Sequence, residues 1–93
     1  MAEVLFHEKV VKENGDIIEA RILRVSKSKA HPEGLRYSLV YIHQNKRVVG
    51  FDNFEGKSHH KQVGQQEFPY RFQTVEQLIR DFQEEVRKWK LKK

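Results

Sequence analysis

The last quarter of the chain carries a single helical pattern, whereas the sequence before it has the character of strands. Apolar side chains recur at spacings of three or four between Val75 and Trp89, which is the period of one helix face. Thr74 precedes them and Gln77 lies three residues on, as a capping box requires. The pattern predicts an amphipathic helix from about 75 to 90, and its apolar face must cover a sheet.

Four apolar runs before this helix have strand composition. Residues 4–25 contain two runs separated by Asn14-Gly15, a dipeptide that favours the type I′ turn of a hairpin. Residues 35–43 alternate in polarity, with Tyr37, Leu39 and Tyr41 on one face, and the run RVVGF follows a short turn. The runs predict four antiparallel strands.

The rest of the chain is expected to be irregular. The segment FDNFEGKSHHKQ, residues 51–62, is too polar for a core strand, and Pro69 marks a linker into the helix. We therefore predict an α+β fold in one domain, residues 1–93: a four-stranded antiparallel meander packed by one C-terminal amphipathic helix.

Composition narrows the function classes. The chain has no cysteine, which excludes disulfides, thiolate metal sites and cysteine nucleophiles and favours a reducing compartment. Neither a signal peptide nor a membrane span is apparent, so we expect a cytoplasmic protein. A net charge of +5 on 93 residues favours anionic partners.

The polar segment 51–62 holds the candidate catalytic residues. Asp52 and Asn53 follow a predicted strand, a common position for binding residues, although the pair also suits an ordinary turn. His59 and His60 supply imidazoles that act as acids, bases or metal ligands near neutral pH. A metal site would need a distant third ligand, and adjacent side chains on an extended backbone point apart. We predict no metal and no cofactor, and an ordinary solvated loop remains the alternative.

Basic residues suggest how a phosphodiester would be held. Histidine acid–base chemistry needs nearby cations to stabilise charge developing on phosphate, and Lys57, Lys61 and Arg71 lie close in sequence. A second basic group could track a nucleic-acid backbone, with Tyr37 and Tyr41 as stacking platforms; it comprises Arg21, Arg24, Lys27, Lys29 and Arg36. Alternatively, the tyrosines pack within the sheet and the lysines provide solubility.

The order of these motifs resembles a known family. The stretch YSLVYIHQNKRVVGFDNFEGKSHHKQ followed by EFPYRFQTVEQLIRDFQEEV is similar to TumE-like proteins, the toxin components of prokaryotic toxin–antitoxin pairs. The resemblance implies a cognate helix-turn-helix antitoxin as partner. Family members often carry more histidines in this segment, whereas Lys61-Gln62 follow His59-His60 here.

Two functional hypotheses follow. In the first, the protein is a toxin that acts on or binds RNA or the translation machinery, as a metal-independent ribonuclease in its most specific form. Asp52 would orient or tune a histidine, Asn53 would position substrate or the loop, and His59 and His60 would share acid–base work. In the second, it is a non-catalytic module that binds a helix-turn-helix or acidic protein. The open edges of a meander also allow a homodimer.

Overall fold

A computed structural model of the chain describes residues 2–53 and 58–91. Six strands form one antiparallel sheet in chain order, followed by one helix. The elements are β1 (Glu3–Val11), β2 (Ile17–Arg24), β3 (Leu35–His43), β4 (Lys46–Asp52), β5 (His60–Val63), β6 (Gln66–Pro69) and α1 (Val75–Leu91). The α+β class, the antiparallel sheet and the C-terminal helix are confirmed.

The predicted number of four strands was wrong, because two further strands extend the sheet beyond β4. These strands, β5 and β6, are four residues each and polar, so they lack the apolar alternation that predicts a strand. Gly64 turns the chain between them with φ at +62°, a conformation that glycine adopts without steric cost. Pro69 ends the outer strand β6, and an edge strand tolerates a residue that cannot donate to the ladder.

The hairpin of β1 and β2 is confirmed, but its predicted type I′ turn was wrong. A type I′ turn needs positive φ at both central residues, and in this hairpin only Gly15 has it, at +89°. The Asn14 side chain instead accepts a hydrogen bond from the backbone of Asp16 at 3.0 Å. Positive φ at two successive residues occurs between β3 and β4, at Gln44 and Asn45.

The core lies between one face of the sheet and α1. Tyr37, Leu39 and Tyr41 are buried on the same face of β3, as their alternation predicted. Three residues spaced by four on α1 are buried against this layer: Leu78, Phe82 and Val86. Phe51 of β4 and Phe82 meet edge to face, with ring centroids 6.0 Å apart.

The opposite side of the sheet, which we call the open face, is polar. Cross-strand pairing places four residues in one row across it: Arg21, Ser38, Asp52 and His60. Because side chains alternate between faces along a strand, these residues point away from Tyr37 and Leu39. The row therefore brings the predicted residue Arg21 of β2 onto the same face as Asp52 and His60, which belong to the segment 51–62.

Strand β1 is an edge of the sheet. Each of its nine residues is exposed, and the exposed apolar side chains include Phe6 and Val10. These two also line an apolar cavity of about 240 Å³ between β1, β2 and α1. No helix in the described part of the chain has the length and apolar character needed to cross a bilayer.

Candidate functional site

The two residues of the predicted pair Asp52-Asn53 have different surroundings. Asn53 is buried, with 1% of its surface exposed. Its Oδ1 accepts a hydrogen bond from the Tyr37 backbone at 2.9 Å, and its Nδ2 donates to the Leu35 carbonyl at 2.9 Å. The Asn53 amide therefore continues the bonding between β3 and β4 beyond the last residue of β4.

Asp52 lies on the open face, paired with His60 across β4 and β5. His60 Nε2 is 3.0 Å from Asp52 Oδ1 and 3.5 Å from Glu67 Oε2. His60 Nδ1 is 3.1 Å from the Ser58 carbonyl. These partners are a carbonyl and two carboxylates, which accept hydrogen bonds and do not donate them. Both ring nitrogens can therefore donate to them only when the imidazole is protonated. Arg47 also approaches Asp52, at 3.8 Å.

His59 lies on the helix side of the sheet, away from His60. Its Nδ1 is 2.8 Å from the Tyr37 hydroxyl, and its Nε2 is 3.0 Å from Glu33 Oε2. The imidazole stacks on the Phe72 ring, with centroids 5.0 Å apart and planes 10° apart. The two histidines predicted to share one task therefore have separate surroundings, because adjacent side chains on extended backbone point to opposite faces.

The partners of His59 determine which nitrogen carries its proton. Burial raises the pKa of the Tyr37 hydroxyl well above its usual range, so this hydroxyl stays protonated and can donate to Nδ1 whenever that nitrogen carries no proton. Burial also opposes ionisation of Glu33, but the hydrogen bond from His59 and the nearby histidine charges outweigh it and lower the pKa of Glu33. The proton of a neutral His59 therefore lies on Nε2, directed at the Glu33 carboxylate.

A small cavity borders this arrangement, and we call it the His59 cavity. Its lining includes Lys29, Glu33, Ser58 and His59, and its volume is about 150 Å³, the volume of about five water molecules. Asn53 also contributes to the wall. The cavity is thus lined by a lysine, a glutamate and a histidine. Of the residues predicted from the sequence, Asn53 and His59 from the catalytic set and Lys29 from the basic set contribute to this cavity.

The other predicted cations do not form one surface. Arg21 and Arg36 lie on the open face by their register, whereas Lys61 faces the helix and pairs with Glu85 at 2.8 Å. Arg24 pairs with Glu3 at 3.4 Å. Lys27 and Lys29 lie between β2 and β3, Arg71 is exposed between β6 and α1, and Lys57 lies outside the described residues.

The two tyrosines considered as stacking platforms are buried. Tyr37 and Tyr41 belong to the core, so neither ring offers a face to a base, and their packing interpretation is confirmed. Tyr37 contacts His59 through its hydroxyl and through its ring, whose centroid is 5.6 Å from that of the imidazole.

Sequence reasoning missed Glu33 because it precedes His59 by 26 residues. It lies in a loop whose composition indicates only a flexible basic connection. Arg47 and Glu67 were also missed, because their contacts depend on the unpredicted strands β5 and β6.

Comparison with known proteins places the chain in a family. A family model described as Toxin TumE matches residues 2–90, nearly the whole chain. No curated protein and no solved structure gives a significant match. The match covers every strand and nearly all of α1, so it includes the His59 cavity and the open face. The chain belongs to the TumE toxin family.

Proposed function

We propose that this toxin acts on RNA and cleaves it by metal-independent acid–base chemistry in the His59 cavity, and that a cognate antitoxin restrains it. The observation that carries the proposal is the arrangement of His59, held between the Tyr37 hydroxyl and the Glu33 carboxylate beside Lys29. An oriented imidazole next to a carboxylate and an ammonium supplies an acid, a base and a positive charge within one small cavity.

The proposed reaction uses Glu33 as base and His59 as acid. Glu33 takes the proton of a ribose 2′-hydroxyl, whose oxygen bonds to phosphorus as the bond from phosphorus to the 5′ oxygen breaks. That leaving oxygen receives the Nε2 proton of His59 in its imidazolium form, in which Nδ1–H donates to the Tyr37 hydroxyl oxygen, and a neutral imidazole remains. The hydrogen bond of 3.0 Å between Glu33 and His59 then returns the proton to the imidazole. Lys29 stabilises the negative charge on the phosphate in the transition state.

The other predicted residues have supporting roles in this proposal. Asp52 holds His60 on the open face through their contact of 3.0 Å, so His60 lies on the side of the sheet opposite to the reaction in this proposal. Asn53 shapes the cavity wall, because both ends of its amide bind backbone groups. Lys57 and Arg71 remain predicted phosphate contacts by their position in the sequence.

Multiple turnover tests the proposal. Trace protein is incubated with an excess of single-stranded RNA in the presence of a chelator, and product ends are counted. We expect many cleavages per molecule, and Glu33→Gln and His59→Asn should each lower kcat by about 100-fold or more. Asparagine at position 59 keeps an amide near the Tyr37 hydroxyl but removes the acid.

His7→Asn is the matched control, because His7 contacts Glu19 at 3.1 Å in an exposed pair on the first two strands. It should cleave like the wild type. Wild-type protein that binds RNA without turnover would contradict the catalytic proposal.

A second candidate function is a non-catalytic interaction module, and the edge strand β1 favours it. Within the described residues, β1 has no strand on its outer side, and it exposes apolar side chains such as Val4 and Phe6. An unpaired, exposed strand is a template for pairing with another chain. Under this function, effects on RNA or translation saturate at a stoichiometric ratio of protein to target instead of increasing with time.

A further inference from the structure

A second group of ionisable side chains lies at the other end of β3, around the buried carboxylate of Asp16. Asp16 is 4% exposed and follows the turn that joins β1 to β2. The Tyr41 hydroxyl donates to its Oδ2 at 2.6 Å, and His43 Nδ1 is 2.8 Å from its Oδ1. The Asn14 side chain holds the Asp16 backbone in this turn. The carboxylate is thereby fixed against the last residues of β3.

Asp16 determines how His43 is oriented. Because an ionised carboxylate only accepts, the proton on Nδ1 of His43 points at Asp16, and Nε2 is the nitrogen available for another partner. Among residues 2–53 and 58–91, Nε2 of His43 has no hydrogen-bond partner, and 18% of the side chain is exposed. His59 and His60 differ, because contacts within the chain occupy both of their ring nitrogens.

Two lysines bring positive charge to the same place. Lys90, near the end of α1, places its ammonium 5.7 Å from the centre of the Tyr41 ring. Lys12 begins the turn that carries Asp16, and its backbone donates to the Asp16 carbonyl at 2.8 Å. A side-chain hydrogen bond with Lys12, which one of the two must accept as a neutral amine, lowers the pKa of Lys90. Desolvation and the Lys12 charge lower it further, and the Asp16 charge opposes this shift. The two side chains are therefore neighbours, and repulsion opposes positive charge on both of them at once.

The charges of the cluster are not balanced within it. Tyr41 and His43 already bind both oxygens of the Asp16 carboxylate, whereas the Lys90 and Lys12 side chains lie next to each other. An anion between the lysines would relieve their repulsion and accept hydrogen bonds from them.

We propose that Lys12, His43 and Lys90 form a phosphate-binding site, in which Asp16 is the positioning residue for His43. The ligand is a phosphate group whose oxygens accept hydrogen bonds from the two ammonium groups and from Nε2 of the protonated imidazole. A nucleotide monoester and an RNA backbone both present this group. The site is separate from the His59 cavity and does not depend on the cleavage proposed there.

Titration of the full chain with inorganic phosphate, followed by NMR of the histidine ring protons, tests the site. We expect the His43 signals to shift and saturate, and the signals of His7 to stay in place. Lys12→Gln/Lys90→Gln should weaken phosphate binding by about tenfold or more, because hydrogen bonds between charged groups are lost. Lys9→Gln/Lys88→Gln is the matched control: it removes the same charge from β1 and α1 and should bind phosphate like the wild type.

Two results would overturn the site: His43 signals that move no more than those of His7, or equal weakening by both double variants, which would mean a response to net charge alone. Parallel titrations with a nucleoside 3′-monophosphate and with a short RNA lacking terminal phosphates identify the source of the ligand. Preference for the monophosphate assigns the site to nucleotides, and preference for the RNA assigns it to the backbone. Neither outcome requires that RNA be cleaved.

Discussion

At the residue scale, buried polar side chains fix the two ends of β3. Among the described residues, the buried polar side chains are Asp16 and Asn53. Asn53 bonds to the backbone at the start of β3, and Asp16 bonds to Tyr41 and His43 at its end. A buried polar group is costly unless it is hydrogen-bonded, so each of these side chains favours one register of the sheet.

Replacing Asn53 tests this structural role. Asn53→Ala should lower the free energy of unfolding by about 2–3 kcal/mol, because it leaves a buried backbone N–H and a carbonyl without partners. Urea unfolding of the variant and the wild type measures the difference. Gln73→Ala, at an exposed position before α1, should change the stability by less than about 0.5 kcal/mol. A similarly small effect at position 53 would show that Asn53 does not anchor the strand.

Asp16 makes the stability depend on pH. The Tyr41 hydrogen bond is the largest influence on its pKa, and together with His43 it outweighs burial and lowers the pKa below the ordinary 3.8. A lowered pKa in the folded state gives stability that is present above the unfolded value and is lost as the pH falls through the folded value. Asp16→Asn should therefore lose less stability than the wild type between neutral pH and strongly acidic pH. Urea midpoints at both pH values measure this, and equal losses would contradict the account.

At the scale of elements, α1 stabilises the sheet through one narrow face. Leu78 on this face is fully buried, whereas Leu91 at the end of the same helix is 69% exposed. Leu78→Ala should cost about 2–5 kcal/mol of unfolding free energy, because it opens a cavity in the core. Leu91→Ala is the matched control and should cost less than about 0.5 kcal/mol. Urea unfolding measures both, and similar costs would mean that the helix does not pack as described.

The elements also show what the sequence could predict. Long strands with apolar alternation and a helix with a regular stripe were predicted with nearly correct bounds, since burial imposes those periods. The short strands β5 and β6 were not predicted, because their own composition does not indicate a strand. Pairing of β5 with β4 and of β6 with β5 stabilises them instead. The type of the first turn was missed because Asn14 binds the backbone of Asp16 instead of adopting positive φ.

The candidate site was predictable only in part, for a related reason. His59 and Asn53 were identified by residue type and by their position near a strand end. Their partners Glu33 and Tyr37 lie 26 and 16 residues away along the chain, and only the folded sheet brings them together. Adjacent side chains point apart on an extended backbone, but only the pairing of β5 with β4 established that His60 lies on one.

At the scale of the whole molecule, the charge of +5 is dispersed over the surface instead of forming one basic face. Arg24, Lys61 and Arg87 are paired with carboxylates, and Arg21 lies on the face of the sheet opposite to Lys61. We therefore expect a modest salt dependence of RNA binding, dominated by a small number of phosphate contacts.

Lys29 is one of the expected phosphate contacts. Lys29→Gln should reduce the slope of log affinity against log salt by about 0.7, the value for one phosphate of a single strand. Binding of fluorescent single-stranded RNA over a range of salt concentrations measures the slope. Lys46→Gln, in the exposed start of β4, removes the same charge away from the His59 cavity and should leave the slope unchanged. Equal slopes for all three proteins would exclude Lys29 from the RNA contact.

Growth of a bacterial host during induced expression tests the central claim most directly. The wild type should arrest growth, and Glu33→Gln should relieve the arrest at an equal level of folded protein, because glutamine can accept the His59 hydrogen bond but cannot take up a proton. Glu13→Gln, in the exposed first turn, should arrest growth like the wild type. If Glu33→Gln arrests growth as strongly as the wild type, the pair of Glu33 and His59 is not the source of toxicity.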